Sequence, residues 1–541
     1  MPYATHEVLN QPPPLEDHDV FALDAALGEA LEREGAGWAA GDLGDLGSLA
    51  GTPGALEWGR LANENPPVLL THDRFGHRID RVEYHPAYHH LMETAVRAGM
   101  HATPWAEGRP GAHVARAAKM IVWSQAEAGH ICPISMTYSV SAALRHAPSL
   151  LEEWLPRLAS RTYDPGEAPP HRKPGLTAGM AMTEKQGGSD VRANTTVAEP
   201  DGDGRFRLTG HKWFVSAPMS DLFLVLANAP GGLSCFLMPR RLPDGTRNAF
   251  LIQRLKDKLG DRSNASSEME FDGAAAVPVG EEGRGVRTII EMVNRTRLDC
   301  SLGAAAGMRL GVVEAIHHAR HRSAFGRVLA DQPLMLAVLA DLALESEAAT
   351  AAAMRLAGAY DREDRDEHEA RFARIATPVV KYWTTKRAAA HAAEAMECIG
   401  GNGFVEESVL PRLFRQSTVN GIWEGSGNVI CLDVLRAMRR EPEATEVFLD
   451  ELQAAAGADR RFDAALESLE KAIVDDGTES GARRLVEQMA VTLQASLLLR
   501  HAPPEVAEGF VASRLPAPPA VYGTLPEGVA ASVIVERALP R

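Results

Sequence analysis

The chain has 541 residues, of which 45% are hydrophobic and 24% charged, and its formal net charge is -16. A chain of this length can bury large cores, and at roughly 150 residues per domain it should form about three or four domains. The acidic balance argues against a generally basic surface that coats nucleic acid, while leaving room for a local basic patch.

The N-terminal sequence and the apolar runs predict a cytoplasmic protein without a membrane span. Residues 1–19 collect acidic side chains where a secretory signal would carry basic ones. Apolar runs such as 222–227 end well before the roughly 20 residues that a span needs. The cysteines lie in neither a CxxC pair nor a zinc spacing, so we expect reduced thiols at Cys132, Cys235, Cys300, Cys398 and Cys431.

The N-terminal third is predicted to be helical. Apolar residues recur at three and four positions in the stretches 21–34, 85–98, 113–128 and 138–158. Between the first two, residues 35–54 are rich in glycine and predict a loop. Residues 161–174 contain four prolines, so we expect a long connection or a domain boundary there.

From residue 176 to about 283 the pattern changes to that of β-strands. The turn sequence Asp-Gly-Asp-Gly at 201–204 precedes an alternation of Phe206 and Leu208. Further strand patterns lie at 212–215, 222–226, 234–238 and 250–255, and Met269 with Phe271 closes the series. We therefore predict a β-domain between two helical regions.

Long helices rich in Ala and Leu return at 286–439, with interruptions near Phe325, at 361–366 and at Gly400. A last stretch, 441–541, contains further helical patterns. The predicted fold class is mostly α with a central β-domain. The predicted domains are N-terminal helical (1–175), β (176–283), helical (284–440) and appended helical (441–541).

The polar loop at the start of the β-domain is a candidate ligand site. It includes Thr183 and Ser189 with two adjacent glycines, Gly187 and Gly188. Glycines let a ligand approach the backbone, and hydroxyls offer hydrogen bonds beside it. The same residues also suit an ordinary loop. Trp213 on a predicted strand is similarly open, because a tryptophan there usually belongs to the core.

A second candidate is Glu424, which lies between Trp423 and Gly425, just ahead of an apolar helical pattern at 429–438. A carboxylate beside an aromatic ring and a helix N-terminus is partly desolvated and close to backbone N–H donors, so it can serve as a base. The alternative is that Glu424 only interacts favourably with the helix dipole.

Two further patterns also have more than one interpretation. The glycines at 400–403 suit the end of a helix, and equally a close approach of the backbone to a pyrophosphate. They are not a Rossmann fingerprint, because no strand-turn-helix unit surrounds them. His317 and His321 share a helix face, but no HExxH pattern and no third ligand accompany them, so we expect no metal site.

Taken in order, these pieces resemble the acyl-CoA dehydrogenase superfamily from about Met180 to Arg436. The resemblance implies an N-terminal helical domain, a β-barrel or sandwich and a C-terminal four-helix bundle, with FAD bound between the last two. MTEKQGGSD resembles the family's flavin loop, and KWFVS at 212–216 resembles the strand that faces the flavin ring. These matches imply as cofactor-binding residues Met182, Thr183, Gly188, Ser189, Trp213, Phe214 and Ser216.

Three later motifs extend the resemblance. RSAFG at 322–326 with Gln332 resembles an element that reaches the adenine end of FAD from a neighbouring subunit. IGGNGF at 399–404 is similar to a turn that contacts the same dinucleotide, and WEGS at 423–426 stands where the family has Tyr-Glu-Gly-Thr. The further cofactor-binding residues implied are Arg322, Phe325, Gln332, Gly400, Gly401, Trp423, Ser426 and Asn428.

The resemblance also implies a mechanism, in which Glu424 removes the substrate α-proton and flavin N5 accepts a hydride. Some members take their base from the preceding helix, beside the position of Arg297. This chain has Thr296 there, which cannot serve as a base, so the role stays with Glu424. Arg436 matches an arginine that is common in the family.

A closer likeness, over nearly the whole chain, is to the AidB-type branch of the family. It is carried by segments such as RLKDKLGDRSNAS at 254–266, EESVLPRL at 406–413 and IWEGSGN at 422–428. This branch is associated with the protection of DNA during alkylation stress. It implies a homotetramer, bound FAD, an acyl-CoA or other small hydrophobic substrate, and an appended helical domain that contributes to DNA binding.

The charge of the appended region bears on DNA binding. Residues 441–541 carry nine Lys or Arg against seventeen Asp or Glu, a net charge of -8. Duplex affinity comes mainly from cations on phosphates, so binding through this region requires its arginines to converge on one face of the oligomer. The alternative function is a DNA-binding protective flavoprotein with little or redirected dehydrogenase activity.

Overall fold

The computed structural model describes residues 5–475 and 478–540, which form two compact units. One unit is Gly54–Asp299, and the other is Met1–Pro53 together with Cys300–Arg541. Arg541, one of the basic residues of the appended region, lies outside the described residues, as do the predicted domain limits at residues 1 and 541.

Helices dominate the N-terminal region, as predicted. They are α1 (Ala25–Arg33), α2 (Ala40–Ala50), α3 (Pro53–Glu64), α4 (Pro86–Arg97), α5 (Thr103–Glu107), α6 (Ala112–Ser124), α7 (Ile131–Leu144) and α8 (Pro148–Leu158). An unpredicted hairpin, β1 (Val68–His72) with β2 (Arg78–Glu83), separates α3 from α4. The predicted helix at 138–158 is two helices, because Pro148 starts α8 at a first-turn position.

The predicted loop at 35–54 is wrong, because a 3-10 turn and α2 occupy most of it. Its glycines serve close packing. A Cβ on Gly47 would lie 2.7 Å from the backbone N of Phe21, and a Cβ on Gly51 would lie 1.9 Å from the carbonyl O of His18. The glycines are there because another segment passes close to the helix, which a local pattern does not distinguish from a turn.

The middle region is a β-barrel. Its strands are β3 (Ala178–Ala181), β4 (Val197–Pro200), β5 (Phe206–Ser216), β6 (Leu222–Ala229), β7 (Gly232–Pro239), β8 (Phe250–Leu255) and β9 (Ser266–Val279). β5 pairs with β4 and β9, β7 joins β9 to β6, and β6 returns to β4. Phe206 and Leu208 both enter the barrel core, which confirms the predicted alternation.

The bundle region begins with α9 (Gly285–His321) and a short hairpin, β10 (Ser323–Ala324) with β11 (Arg327–Val328). Next come α10 (Pro333–Arg362), α11 (Glu367–Ile399), α12 (Gly401–Phe404), α13 (Val409–Ser417) and α14 (Gly427–Arg440). Ala305 of α9, Ala349 of α10 and Ala388 of α11 share one buried cluster. Small residues at this contact allow the long helices to pack closely.

The appended helices are α15 (Pro442–Gln453), α16 (Arg460–Asp475), α17 (Ala482–His501), α18 (Pro504–Arg514) and α19 (Ala531–Ala538). α17 packs against α10, α11 and α14, and α19 packs against α10. Arg514 is 1% exposed and pairs with Asp341 and Glu345 of α10. The appended region therefore shares a compact unit with the bundle. The division into four domains stays a prediction.

The fold class is confirmed as mostly helical with a central β-domain. Across residues 5–475 and 478–540, no helix combines the length and the apolar character that a membrane crossing requires.

Candidate functional site

The loop that follows β3 is held by a buried ion pair. Lys212 Nζ of β5 donates to Glu184 Oε1 at 2.8 Å, and neither side chain is exposed. Glu184 also accepts from the backbone N–H groups of Thr195 and Thr196, at 2.7 and 3.1 Å. Burial opposes the ionisation of Glu184, but these bonds outweigh it and hold its pKa well below the ordinary range. The loop is thereby fixed to the barrel.

Four predicted cofactor residues lie on this loop. Met182 and Thr183 are half-buried, whereas Gly188 and Ser189 are exposed. Thr183 O accepts from the Trp213 backbone N–H at 2.8 Å, which ties the loop to β5. A Cβ on Gly188 would lie 2.5 Å from Thr183 Oγ1, so a side chain at this position would displace Thr183.

The end of β5 presents an aromatic ring and a hydroxyl. Phe214 is 55% exposed, and half-buried Ser216 has its Oγ 3.2 Å from Ser266 Oγ. Half-buried Trp213 has Lys256 Nζ 3.3 Å from its ring centroid, a cation–π contact. Lys256 Nζ also lies 4.6 Å from the ring centroid of Phe214, but Phe214 is the more exposed of the two aromatic residues and can contact a flat ligand.

In the other compact unit, Glu424 lies in a strained turn just before α14. Its φ is 55° and that of Gly425 is 101°, and a left-handed φ is unfavourable for a residue with a side chain. Glu424 is half-buried. Lys381 Nζ donates to Trp423 O at 2.8 Å and to Gly425 O at 2.6 Å, while Trp423 Nε1 donates to Asn420 Oδ1 at 2.9 Å. The turn is therefore joined by hydrogen bonds to α11.

Two cations approach the first turn of α14. A Cβ on Gly427 would lie 3.4 Å from both Lys386 Nζ and Arg483 Nη2, and Arg483 Nε donates to Asn428 Oδ1 at 2.8 Å. Within the described chain the N-cap residue, Ser426, makes no capping bond with its side chain. Helix N–H groups beside two cations suit a phosphate or a pyrophosphate.

The glycine turn after α11 leaves its backbone accessible. Gly400 ends the helix with φ 71°, which confirms the predicted helix end. A Cβ on Gly400 or Gly401 would have no atom of the described residues within 4 Å. This geometry agrees with both interpretations of the motif, the helix end and the close approach of a ligand.

The segment between α9 and α10, which contains the short hairpin, carries three predicted cofactor residues. Phe325 is 99% exposed and has a positive φ of 53°. Arg322 Nη1 donates to the carbonyl of Asn10 at 2.6 Å, and Gln332 Nε2 donates to the carbonyl of Ala324 at 3.0 Å. Two of the three side chains are thus engaged within their own unit, and the apolar ring is presented outward.

The alternative base position and the family arginine do not offer another carboxylate. Thr296 is buried, and its Oγ1 donates to Val293 O at 2.9 Å. Arg436 is largely exposed, with Nη1 3.7 Å from Asp433 Oδ1. Neither residue supplies a carboxylate that could compete with Glu424.

The histidine pair on α9 is occupied by backbone contacts. His317 Nε2 lies 2.8 Å from Pro13 O, and His321 Nδ1 lies 2.8 Å from His317 O. In the part of the chain that the structure describes, no group of three or more His, Cys, Asp or Glu side chains is arranged to hold a metal ion.

The basic residues of the appended region are mostly neutralised within the chain. The ones in ion pairs with carboxylates are Arg461, Lys471, Arg500, Arg514 and Arg537. Each such pair offers less net positive charge to a phosphate backbone than an unpaired cation does.

Sequence patterns missed four residues that shape these sites. Lys212 and Lys381 donate hydrogen bonds to the loop and to the turn, while Lys386 and Arg483 approach α14. Lys381 and Lys386 lie inside a long helical pattern, where a lysine usually indicates a solvated face. The burial of Lys381, which is 1% exposed, depends on neighbours distant in sequence.

The sequence matches three family descriptions along its length. Residues 10–165 match the adaptive response protein AidB N-terminal domain. Residues 179–274 match the acyl-CoA dehydrogenase middle domain, and residues 283–439 match the acyl-CoA dehydrogenase C-terminal domain.

Comparisons over the whole chain agree with these matches. The chain is 47% identical to the AidB protein of Escherichia coli strain K12, over 94% of each chain. The structure of ACDH-11 from Caenorhabditis elegans in complex with C11-CoA is similar with a TM-score of 0.83 and 26% identity, covering 99% of this chain and 94% of that one. An acyl-CoA dehydrogenase from Bacillus anthracis complexed with FAD shares the fold, with a TM-score of 0.62, 19% identity, and coverage of 79% and 77%.

Proposed function

This chain belongs to the acyl-CoA dehydrogenase family, in its AidB branch, and we propose that it oxidises an acyl thioester with FAD, using Glu424 as the base. The observation that carries the proposal is the half-buried residue Glu424, which has φ 55° and lies between two residues whose carbonyls accept hydrogen bonds from Lys381. Strain of this kind persists only where the surrounding structure determines it, and it concentrates at functional sites.

FAD is the cofactor of this family, and each compact unit, taken by itself, contains groups that suit part of it. In the unit Gly54–Asp299, Phe214 offers an exposed ring, and Thr183 and Ser216 offer hydroxyls. In the other unit, the start of α14, with Lys386 and Arg483 beside it, suits a pyrophosphate. When bound, FAD supplies the two-electron oxidation by accepting the β-hydrogen of the substrate.

The role of Glu424 is to accept the α-proton of the thioester. Its carboxylate becomes a carboxylic acid while the β-hydrogen leaves with its electron pair, and a double bond forms between the α and β carbons. A carboxylate is a weak base in water, so exclusion of water by the bound substrate favours this transfer. The relative in complex with C11-CoA supports an acyl-CoA as the substrate.

We propose that the working form is a cytoplasmic homotetramer. Phe325 is 99% exposed. It lies in the motif that, in the family, reaches the FAD of a neighbouring subunit. Exposed large apolar side chains of this kind mark interaction surfaces when they cluster, and Leu334 at 84% exposure follows in the next helix. Light scattering of the purified protein gives its subunit number, and a monomer at all concentrations contradicts this part of the proposal.

Replacement of the base tests the proposed reaction. Glu424→Gln removes the proton acceptor while keeping the size of the side chain, so flavin reduction by an acyl-CoA should slow by about 10²–10⁴-fold under anaerobic conditions. FAD content and the visible spectrum should stay as in the parent. Glu443→Gln, at an exposed position of α15, is the matched control. Flavin reduction at the parental rate in Glu424→Gln would show that another group is the base.

A role in protection of DNA during alkylation stress rests on the likeness to AidB. The appended region gives little support to direct binding, because five of its nine basic residues are paired with carboxylates. Fluorescence anisotropy with a labelled duplex at several salt concentrations decides the matter. Binding that weakens steeply with salt supports a phosphate-contacting surface, and no binding at low salt removes DNA from the proposal.

A further inference from the structure

A single buried lysine joins the bundle to the turn that carries Glu424. Lys381 lies in α11 and is 1% exposed. Its Nζ donates to the carbonyl of Trp423 at 2.8 Å and to the carbonyl of Gly425 at 2.6 Å. We propose that Lys381 is a positioning residue that holds Glu424 in its left-handed conformation; this rests on the proposed role of Glu424 as the base.

The two hydrogen bonds act on the part of the backbone that is strained. Glu424 and Gly425 are consecutive, with φ values of 55° and 101°. The two bonded carbonyls bracket both residues, so one ammonium group fixes the path of the chain through them. A glutamate left to itself prefers negative φ, because its Cβ crowds the backbone in the left-handed region.

The cation is suited to this task because burial makes its bonds hard to exchange for water. A buried ammonium is costly unless its donors find acceptors, and here the carbonyls beside Glu424 serve as acceptors. Hydrogen bonds from a charged donor are stronger than neutral ones. Moving Glu424 out of position would therefore leave a buried charge with fewer partners, which resists the movement.

The position in the bundle gives the contact its rigidity. Thr385 Oγ1, one turn along α11, donates to Lys381 O at 2.7 Å, and α11 packs against α14, which begins just after the turn. A base held by packed helices keeps its reacting atoms in place, whereas small misplacements cost large factors in rate.

Lys381→Met tests the proposal by two independent measurements. In a crystal structure of the variant, φ of Glu424 should leave the positive region, because Met offers no donor to the two carbonyls. Flavin reduction by an acyl-CoA should slow by at least tenfold, with the dependence of that rate on pH displaced. In the Glu424→Gln background the same change should cause no additional slowing, because Lys381 acts through Glu424.

Two variants control for general damage. Lys471→Met removes an exposed lysine of α16, whose side chain is 68% accessible, and should match the parent in every measurement. Lys381→Arg keeps a charged donor and should recover most of the rate, which a residue needed only for packing would not show. If Lys381→Met does not fold, the rate of flavin reduction in Lys381→Arg tests the proposal in its place.

The structural measurement separates this proposal from that of the base. If Glu424→Gln reduces flavin at the parental rate, the proposed base is wrong, yet the φ of Glu424 in Lys381→Met still decides whether Lys381 holds the turn. An unchanged positive φ in that variant, or no recovery in Lys381→Arg, overturns the positioning role.

Discussion

Lys212→Met should lower the free energy needed to open the loop at 182–194 by about 3 kcal/mol. Removal of one partner from a buried ion pair costs about 3–5 kcal/mol, because the other charge is left without compensation. Glu184 would keep hydrogen bonds from Thr195, Thr196 and Gln186, which places the cost at the lower end. At about 1.4 kcal/mol per factor of ten, this corresponds to roughly 10²-fold more frequent opening.

Amide hydrogen exchange of Thr195 and Thr196 measures this opening directly, because both N–H groups donate to Glu184. Lys471→Met is the control, since its pair with Glu467 is exposed at 68% and 67% and an exposed pair contributes about 0–1 kcal/mol. In Lys212→Met the exchange rates of these two amides should rise roughly 10²-fold. Rates within about threefold of the parent would refute the argument that this pair holds the loop.

Acid should act on the same contact. The lowered pKa of Glu184 means that its contribution to stability is present above the ordinary carboxyl value of 4.5 and is lost as the pH falls below that value. After correction for the effect of pH on intrinsic exchange rates, we expect the amides of Thr195 and Thr196 to exchange faster on acidification. In Glu184→Gln this acceleration should be absent.

Two further predictions concern Glu424 and Asp261. Glu424→Gly should be more stable than Glu424→Ala by about 1 kcal/mol, because glycine adopts φ 55° without strain; equal urea midpoints for the two variants would contradict this. Burial and the nearby Glu127 raise the pKa of Asp261 to about 7, while Lys258 opposes the shift. Ionisation of Asp261 therefore lowers the stability of the folded protein as the pH rises from 3.8 through 7. Asp261→Asn should raise the thermal midpoint at pH 8 but not at pH 4. Equal shifts of the midpoint at both pH values would contradict this prediction.

Local patterns were sufficient wherever a structure is decided by neighbours in sequence. The alternation of Phe206 and Leu208 predicted strands, and the glycine at 400 predicted a helix end with positive φ. The order of motifs from 182 to 428 identified the family and led to the proposal of Glu424 as the base, because ligand-contacting loops keep short sequences that can be compared directly.

Contacts between distant segments were decided by the tertiary structure. Glycines at 47 and 51 looked like a loop because nothing local shows that residues 18–21 pass against the helix. Lys381 lies 42 residues before Trp423, and Lys212 lies 28 residues after Glu184. A lysine has the same helix and strand pattern whether it faces solvent or a buried acceptor. The role that we propose for Lys381 at Glu424 follows only from which chain segments folding brings beside it, since a hydrogen bond depends on distance in space rather than on separation in sequence.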